Sequence, residues 1–281
     1  MINNQTEQKK KISILGCGWY GFALAKSLIK NGYSVNGSTT SEDKVNMLKQ
    51  ANIQPYLVNF EADKSEHEAS FFDCDLLIIS IPPKKNSLQL SDFPAKIKNI
   101  TEAAAKADVK QVIFISSTKV YQDGNFIVDE NVTPQPNTDS GNAILEAEHI
   151  LTQNLSFTTT IIRFSGLIGP ERNLAKHFAG KKNIANGLAP INLIHLTDCI
   201  GITEAIIQQK AFGKIYHGVT PNHPSRKEFY TKSCIVSGFE EPSFIDELLD
   251  WKQIESKNVS EVLAYEYVFK NWDKYFETLA D

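Results

Sequence analysis

Cysteine and methionine are scarce in this 281-residue chain, and nowhere does it contain a run of 18 apolar residues. The missing run excludes a hydrophobic span across a membrane, which needs about 20 such residues. The four cysteines, Cys17, Cys74, Cys199 and Cys234, stand far apart with no C-x-x-C pair. They read as reduced thiols of a cytoplasmic protein rather than as a disulfide framework. A basic excess is absent too. Lys and Arg number 29 against 33 Asp and Glu, a formal net charge of −4. Neither nucleic acid nor an anionic membrane surface is therefore an expected partner. No metal-ligand spacing appears among the six histidines. Residues 1–10, MINNQTEQKK, lack the apolar core of a signal peptide and read as a loose polar tail. There is no internal repeat and no low-complexity tract.

What is present is ordinary in bulk and specific in one place. Apolar residues make up 42% and charged residues 22%, as in a globular protein, and the length suits two domains or one large α/β unit. The specific place is Gly16-Cys17-Gly18-Trp19-Tyr20-Gly21. The apolar stretch Lys11–Leu15 precedes it, and Phe22, Ala23, Leu24, Ala25, Leu28 and Ile29 follow at helical spacing. A G-x-G-x-x-G between a strand and a helix is a dinucleotide-binding pattern. The first glycine allows the tight turn, the second lets backbone approach a pyrophosphate, and the third packs helix on strand. The N-terminus of the helix then offers N–H groups and partial positive charge to the phosphates.

Apolar runs alternate with helical patterns, which is how a parallel sheet covered on both faces reads. Strands are expected at Lys11–Leu15, Ser34–Ser38, Pro55–Phe60, Asp75–Ile81, Gln111–Ser116 and Thr158–Arg163. Helices are expected at Phe22–Asn31, Glu42–Gln50, Phe93–Lys106 and Ala143–Gln153. Right-handed crossovers then give an α/β, Rossmann-type doubly wound sheet with its ligand crevice at the carboxyl ends of the strands. Trp19, Tyr20, Ser80, Ile81, Pro82 and Ser116 are expected beside the dinucleotide with Gly16, Gly18 and Gly21. After about residue 165 the rhythm changes, with a helix near Thr197–Gln209 and a strand near Lys214–His217. The expected division is a nucleotide domain over 11–165 and a smaller, interleaved substrate lobe over 166–281. Residues 193–217 return to the first domain in this scheme. The late aromatics Tyr265, Tyr267, Phe269, Trp272, Tyr275 and Phe276 read as a small core of the lobe.

The end of the second strand bears on the nucleotide. NAD-binding proteins of this type place Asp or Glu there to accept from the ribose 2′-OH, whereas this chain has Ser38-Thr39-Thr40-Ser41 before Glu42. Three hydroxyls without a carboxylate, and Lys44 nearby, point to NADP over NAD. The competing account is local: Thr39-x-x-Glu42 spells a capping box that closes a helix by itself.

Three further stretches carry a family resemblance. Phe114-Ile115-Ser116-Ser117-Thr118-Lys119-Val120-Tyr121, followed by Glu130 and Pro134, resembles the fifth strand of extended short-chain dehydrogenases/reductases, the NAD-dependent epimerase/dehydratase family. Arg163-Phe164-Ser165-Gly166-Leu167-Ile168-Gly169-Pro170-Glu171-Arg172 resembles that family's R-x-x-G-x-x-G-P-x-R, and Asn192-Leu193-Ile194-His195-Leu196-Thr197-Asp198 its N-x-I-H-x-x-D. The resemblance implies a bound nicotinamide cofactor and a C-terminal substrate lobe, often for nucleotide sugars. It implies a serine at Ser117, then a tyrosine and a lysine four residues apart on the next helix.

That pair is missing. Alignment on Pro134 and Glu148 puts Ser140 at the tyrosine position and Ile144 at the lysine position. A serine hydroxyl is too weak an acid for the tyrosine's role without a base, so the chain resembles the atypical branch of the family. Three accounts stay open: an enzyme with substitute groups, a redox-silent NAD(P) binder, or a protein holding the cofactor structurally during non-redox chemistry. The substitutes expected are Tyr121 and Lys119, which share a face if their segment is extended; otherwise Tyr121 packs at a domain junction. Arg172, His223 and Arg226 are candidates to seat a small anionic substrate. His195 is expected to hold the loop before a helix, and Arg163 to bond backbone or a carboxylate. The expected state is a monomer or homodimer.

Overall fold

In the computed structural model, residues 10–83 and 90–280 are described. The expected tail lies, but for Lys10, outside them. The strands are β1 (Lys11–Leu15), β2 (Ser34–Thr39), β3 (Gln54–Leu57), β4 (Asn59–Phe60), β5 (Ser65–Glu66), β6 (Leu76–Ile79), β7 (Gln111–Ser117), β8 (Phe126–Val128), β9 (Thr158–Phe164), β10 (Gly166–Ile168), β11 (Leu193–His195), β12 (Ile215–Gly218) and β13 (Lys252–Ile254). The helices are α1 (Trp19–Lys30), α2 (Asp43–Gln50), α3 (Phe93–Lys106), α4 (Asp139–Gln153), α5 (Leu196–Gln209), α6 (Arg226–Val236), α7 (Asn258–Glu261) and α8 (Asp273–Ala280).

Seven strands form one parallel sheet in the order β12-β9-β7-β6-β1-β2-β3. The order reverses at β1, whose neighbours are β2 on one side and β6 on the other. Winding in both directions from β1 makes the fold doubly wound and puts the switch point at the carboxyl ends of β1 and β6. Leu76, Leu77, Ile78 and Ile79 of β6 are all buried, as a strand covered on both faces requires. Pro55 sits in β3, the sheet's edge, where its missing N–H breaks no interior ladder.

Two local expectations fail. The single strand over Pro55–Phe60 divides, because Val58 donates its N–H to Thr39 O and the chain then turns into the antiparallel β4–β5 pair. No capping box closes α2: Glu42 makes no side-chain cap bond. Thr39 Oγ1 instead accepts the Ser41 N–H at 3.1 Å, a local turn that uses the hydroxyl first. Helix α4 begins four residues earlier than expected, its first turn tied by Gly141 N–H to Thr138 Oγ1 at 3.1 Å. The turn after α1 is as expected, with Gly32 at φ +88°.

The chain divides into two compact units. One holds the described residues of Met1–Ile115 with Ala143–Ile161 and Phe212–Lys214; the other holds Ser116–Asn142, Ile162–Ala211 and the described residues of Ile215–Asp281. Ser116–Asn142 groups with the second unit because β8 pairs with β13 and Gly124 and Asn125 both donate to Trp251 O. This unit's aromatic core contains Phe229, Tyr230, Phe269, Trp272, Tyr275 and Phe276.

Much of its irregular C-terminal segment is held by side chains acting as strand neighbours. Asn192 donates to Lys252 O at 2.8 Å and accepts from Ile254 N–H at 2.7 Å. Asp198 accepts from Val268 N–H, Phe269 N–H and the Tyr265 hydroxyl. Glu130 accepts from Lys257 N–H, Asn258 N–H, Ser256 Oγ and, across to β12, His217 N–H at 3.0 Å. With Asn258 Nδ2 donating to Ile215 O at 2.8 Å, the outer edge of β12 has partners. Glu130→Ala should therefore strip four donors at once and lower stability by about 3 kcal/mol, read by urea unfolding at pH 7. A change below about 0.5 kcal/mol, the range of ordinary surface substitutions, would mean the carboxylate does not hold the segment.

Candidate functional site

At the switch point the three glycines do three different things. Gly16 has φ +104°, and a Cβ there would lie 2.8 Å from Ile81 Cγ2 and 2.9 Å from Ser80 O. Only glycine passes between β1 and the end of β6 in that conformation. Gly21 carries no such angle, but its Cβ would meet Gly16 O at 2.2 Å, so it sets how closely α1 packs on the turn. Gly18 is the opposite case: a Cβ there meets nothing within 4 Å. Its missing side chain has no packing reason inside the protein and leaves space at the mouth of the turn. No side chain caps α1, and no acidic residue occupies its first turn. A helix start of that kind suits a phosphate.

A cleft of about 580 Å³ opens at this turn, within the first unit. Of the expected cofactor residues, Gly16, Gly18, Ser38, Thr39, Thr40, Ile81 and Pro82 line it. Trp19, Tyr20, Gly21 and Ser80 do not: Tyr20 is buried, and Gly21 and the Ser80 carbonyl serve the packing of the turn. Ser116 is buried in the second unit. Asn59, Phe60, Asp92 and Lys96 also line the cleft and were not expected. No local motif marks them, because the β4–β5 turn and the start of α3 bring them there.

The hydroxyls after β2 are not equivalent. Ser38 Oγ accepts the Gly16 N–H at 2.8 Å, and Cys17 donates its N–H to Ser38 O at 3.1 Å, so Ser38 braces the turn. Thr39 is engaged with Ser41. Thr40 is exposed, and Lys44 lines the same cleft. Burial pushes the Cys17 thiol up to about 12, which leaves it an inert space-filler.

In the second unit the expected pairing of Tyr121 with Lys119 does not form. Thr118–Val120 is a 3₁₀ turn rather than extended chain, so Lys119 is exposed while Tyr121 is 2% exposed. Ser117 accepts the Lys119 N–H through its Oγ at 3.3 Å. The Tyr121 hydroxyl lies 2.9 Å from His217 Nε2 and accepts a hydrogen bond from Arg163 Nη1. His217 Nδ1 donates to Glu255 O at 2.8 Å, which leaves Nε2 as acceptor for the phenol. Arg163 Nη1 thus bonds a phenol, a partner that the sequence reading did not name. Ser140 is in the first turn of α4, and the Gly141 next to it lets Lys119 O approach to 2.5 Å of where a Cβ would be.

The substrate candidates separate as well. Arg226 spends Nη1 on the carbonyls of Ala185 and Asn186. Its guanidinium holds a loop. Arg172 is exposed, and His223 is half-buried with Nδ1 on Ile191 O at 2.8 Å. His195 does hold the start of α5, accepting the Thr197 N–H at Nδ1, and its ring lies 3.8 Å from that of Phe269.

A doubly wound sheet with such a turn at its switch point is the architecture of a dinucleotide-binding protein. Comparison with known proteins agrees, and the chain belongs to the NAD(P)H-binding family, whose model matches residues 16–188. It is 32% identical over 265 residues to the protein YeeZ of Escherichia coli K12, covering 92% of this chain and 96% of that protein. Two solved structures share the fold. The UDP-glucuronic acid 4-epimerase of Bacillus cereus, in complex with NAD, has TM-score 0.78 at 17% identity over 96% of this chain and 98% of that one. The human epimerase family protein SDR39U1, with NADPH, has TM-score 0.72 at 15% identity over 96% and 99%. Among the described residues no helix is long and apolar enough to cross a membrane.

The glycines give a direct contrast. Gly18→Ala should leave the melting temperature within about 1 °C, while Gly21→Ala should cost roughly 1–3 kcal/mol by overpacking. Equal effects in thermal unfolding would refute the division of roles. A second expectation concerns acid. Burial lowers the His195 imidazole to about 4, below the ~6.5 of an unfolded chain. The native state then binds fewer protons than the unfolded one, so this stability is present above pH ~6.5 and lost as pH falls toward 4, up to about 3 kcal/mol. Burial moves His217 and His223 in the same direction. His195→Asn, which can keep an acceptor for Thr197 N–H, should flatten this acid-side decline in urea titrations between pH 7 and 4.5.

Proposed function

We propose that this protein is an NADP(H)-dependent oxidoreductase of the epimerase/dehydratase type, acting on a small anionic molecule such as a nucleotide sugar. The observation that carries the cofactor half is the open space at Gly18 beside two glycines whose absent side chains have packing reasons. The residues present fit the cofactor. Gly16, Gly18 and the start of α1 would hold the pyrophosphate; Thr40 and Lys44 would hold a 2′-phosphate. The bound nicotinamide would supply hydride exchange. Solved relatives in fold carry NAD and NADPH respectively, and one is named for a uronic acid nucleotide sugar.

One observation favours a second reading, a redox-silent NADP(H)-binding sensor or interaction protein. The Tyr121 hydroxyl is committed to Arg163 and His217, and Ser140 and Ile144 stand where the family resemblance puts a tyrosine and a lysine. Hydride transfer in the holoprotein separates the two readings: a sensor binds without turnover on any carbonyl or carbinol substrate.

Calorimetry should show NADPH binding more tightly than NADH, and Gly18→Val should abolish both while the protein stays folded. Lys44→Met should weaken NADPH about tenfold and leave NADH unchanged, the loss of one charge-assisted contact. Tighter NADH binding in the unmutated protein would reverse the preference. No thermal stabilisation by either nucleotide at millimolar concentration would remove the cofactor altogether.

A further inference from the structure

Among the described residues ten large apolar side chains are exposed, and four of them stand on one pair of loops in the second unit. They are Leu188, Ile245, Leu248 and Leu249, between 44% and 53% exposed. The loops run over 183–190 and 241–251 and lie side by side. Ile184 and Phe244 form a parallel bridge, Gly187 donates its N–H to Ile245 O at 3.0 Å, and Leu188 donates its N–H to Glu247 O at 3.1 Å. Apolar side chains exposed singly need no explanation, but four on adjoining backbone mark an interaction site.

The loop pair is fixed before anything binds. Asn186 Nδ2 donates to Asp250 O at 2.7 Å, its Oδ1 accepts the Leu249 N–H at 2.9 Å, and its own N–H goes to Glu247 Oε1 at 2.9 Å. Arg226 adds its bonds to the Ala185 and Asn186 carbonyls. These bonds also consume the backbone. The N–H groups of Ile245, Glu247 and Leu249 and the carbonyls of Ile245, Glu247 and Asp250 all have partners. A visiting strand finds no open edge along these groups, so the apolar side chains must carry the contact.

Charge selects the visitor. Residues 239–251 include five carboxylates and no Lys or Arg, and residues 183–193 carry no charge at all. Lys182 pairs with Glu240 at 3.1 Å and Lys227 with Asp246 at 2.8 Å. Glu241, Glu247 and Asp250 have no basic partner among the described residues. Three uncompensated negative charges beside four apolar side chains are complementary to an apolar face flanked by Lys or Arg. The same charges repel nucleic acid and anionic lipid, and in a two-fold contact they would meet their own copies.

We propose that this loop pair is a docking surface for an amphipathic helix of a partner protein, one whose apolar face is flanked by Lys and Arg. Apolar side chains of that helix, spaced i, i+3, i+4 and i+7, cover Leu188, Ile245, Leu248 and Leu249. Its cations lie against Glu241, Glu247 and Asp250. Every residue involved belongs to the second unit, and none touches the nucleotide cleft of the first. The surface therefore stands under either reading of the cofactor.

Fluorescence anisotropy on the full-length protein tests this with a labelled helical peptide of leucine and lysine, patterned to give one apolar face. The peptide should bind, and more weakly at high salt. The same peptide with Glu in place of each Lys should not bind. Hydrogen exchange should slow in 183–190 and 241–251 when the Lys peptide is added, and in no other part of the second unit. Leu248→Ser with Leu249→Ser should weaken the Lys peptide about tenfold or more at unchanged melting temperature. Leu188→Ser, from the other loop, should weaken it about threefold. Glu247→Gln with Asp250→Asn should remove most of the salt dependence, since Gln keeps an acceptor for the Asn186 N–H. No binding of the Lys peptide, equal binding by the Leu variants, or protection confined to other segments would overturn the proposal. Sedimentation showing self-association that Leu248→Ser with Leu249→Ser dissolves would give the surface to a second copy instead. Tighter peptide binding after removal of residues 2–9 would give it to the chain's own N-terminal segment. Either result replaces the partner helix and sinks the assignment.

Discussion

The backbone at Gly16 has to turn out of β1 within contact distance of the end of β6, and the candidate site depends on that passage. A Cβ at Gly16 would strike Ser80 O and Ile81, and a Cβ at Gly21 would strike Gly16 O. The two constraints interlock: the turn fits against β6 only because one side chain is absent, and α1 fits against the turn only because another is. Ser38 then locks the arrangement from β2 by accepting the Gly16 N–H. Three adjacent strands are thus tied at one point, and α1 starts there with an uncapped, acid-free N-terminus. A phosphate would complete the cap that the protein leaves unmade.

The second unit is built by a different economy. Its short strands are three or four residues long, and much of the chain after residue 240 has no regular structure. Backbone groups there would be expensive to leave unpaired. Asn192, Asp198, Glu130 and Asn125 supply the partners from their side chains. This explains the family-like N-x-I-H-x-x-D stretch in physical terms. Asn192 and Asp198 bind backbone of the C-terminal segment, and His195 caps α5. Conspicuous polar residues in this lobe are, in these cases, scaffold. The same holds for Arg226 and for the Arg163–Tyr121–His217 chain.

Ser140 occupies the first turn of α4, and Ser117 ends β7. Gly141 lets α4 approach the Lys119 carbonyl closely.

The sequence by itself determined the elements whose signal is local. Lys11–Leu15 and Phe93–Lys106 were legible to the residue because apolar period and flanking turns act within a dozen positions. The glycine turn was legible too, because its spacing states a backbone geometry. Only the tertiary structure decided which of the residues so marked reach the cleft. Thr39 and Thr40 look alike in sequence, yet one hydroxyl is taken by Ser41 and the other is exposed. Lys119 and Tyr121 alternate as a strand would, yet a 3₁₀ turn sends one to solvent and buries the other. Asn59 and Lys96 join the cleft from 37 positions apart by chain folding alone. Side-chain direction and hydrogen-bond competition are settled by neighbours distant in the chain, and no spacing rule records them.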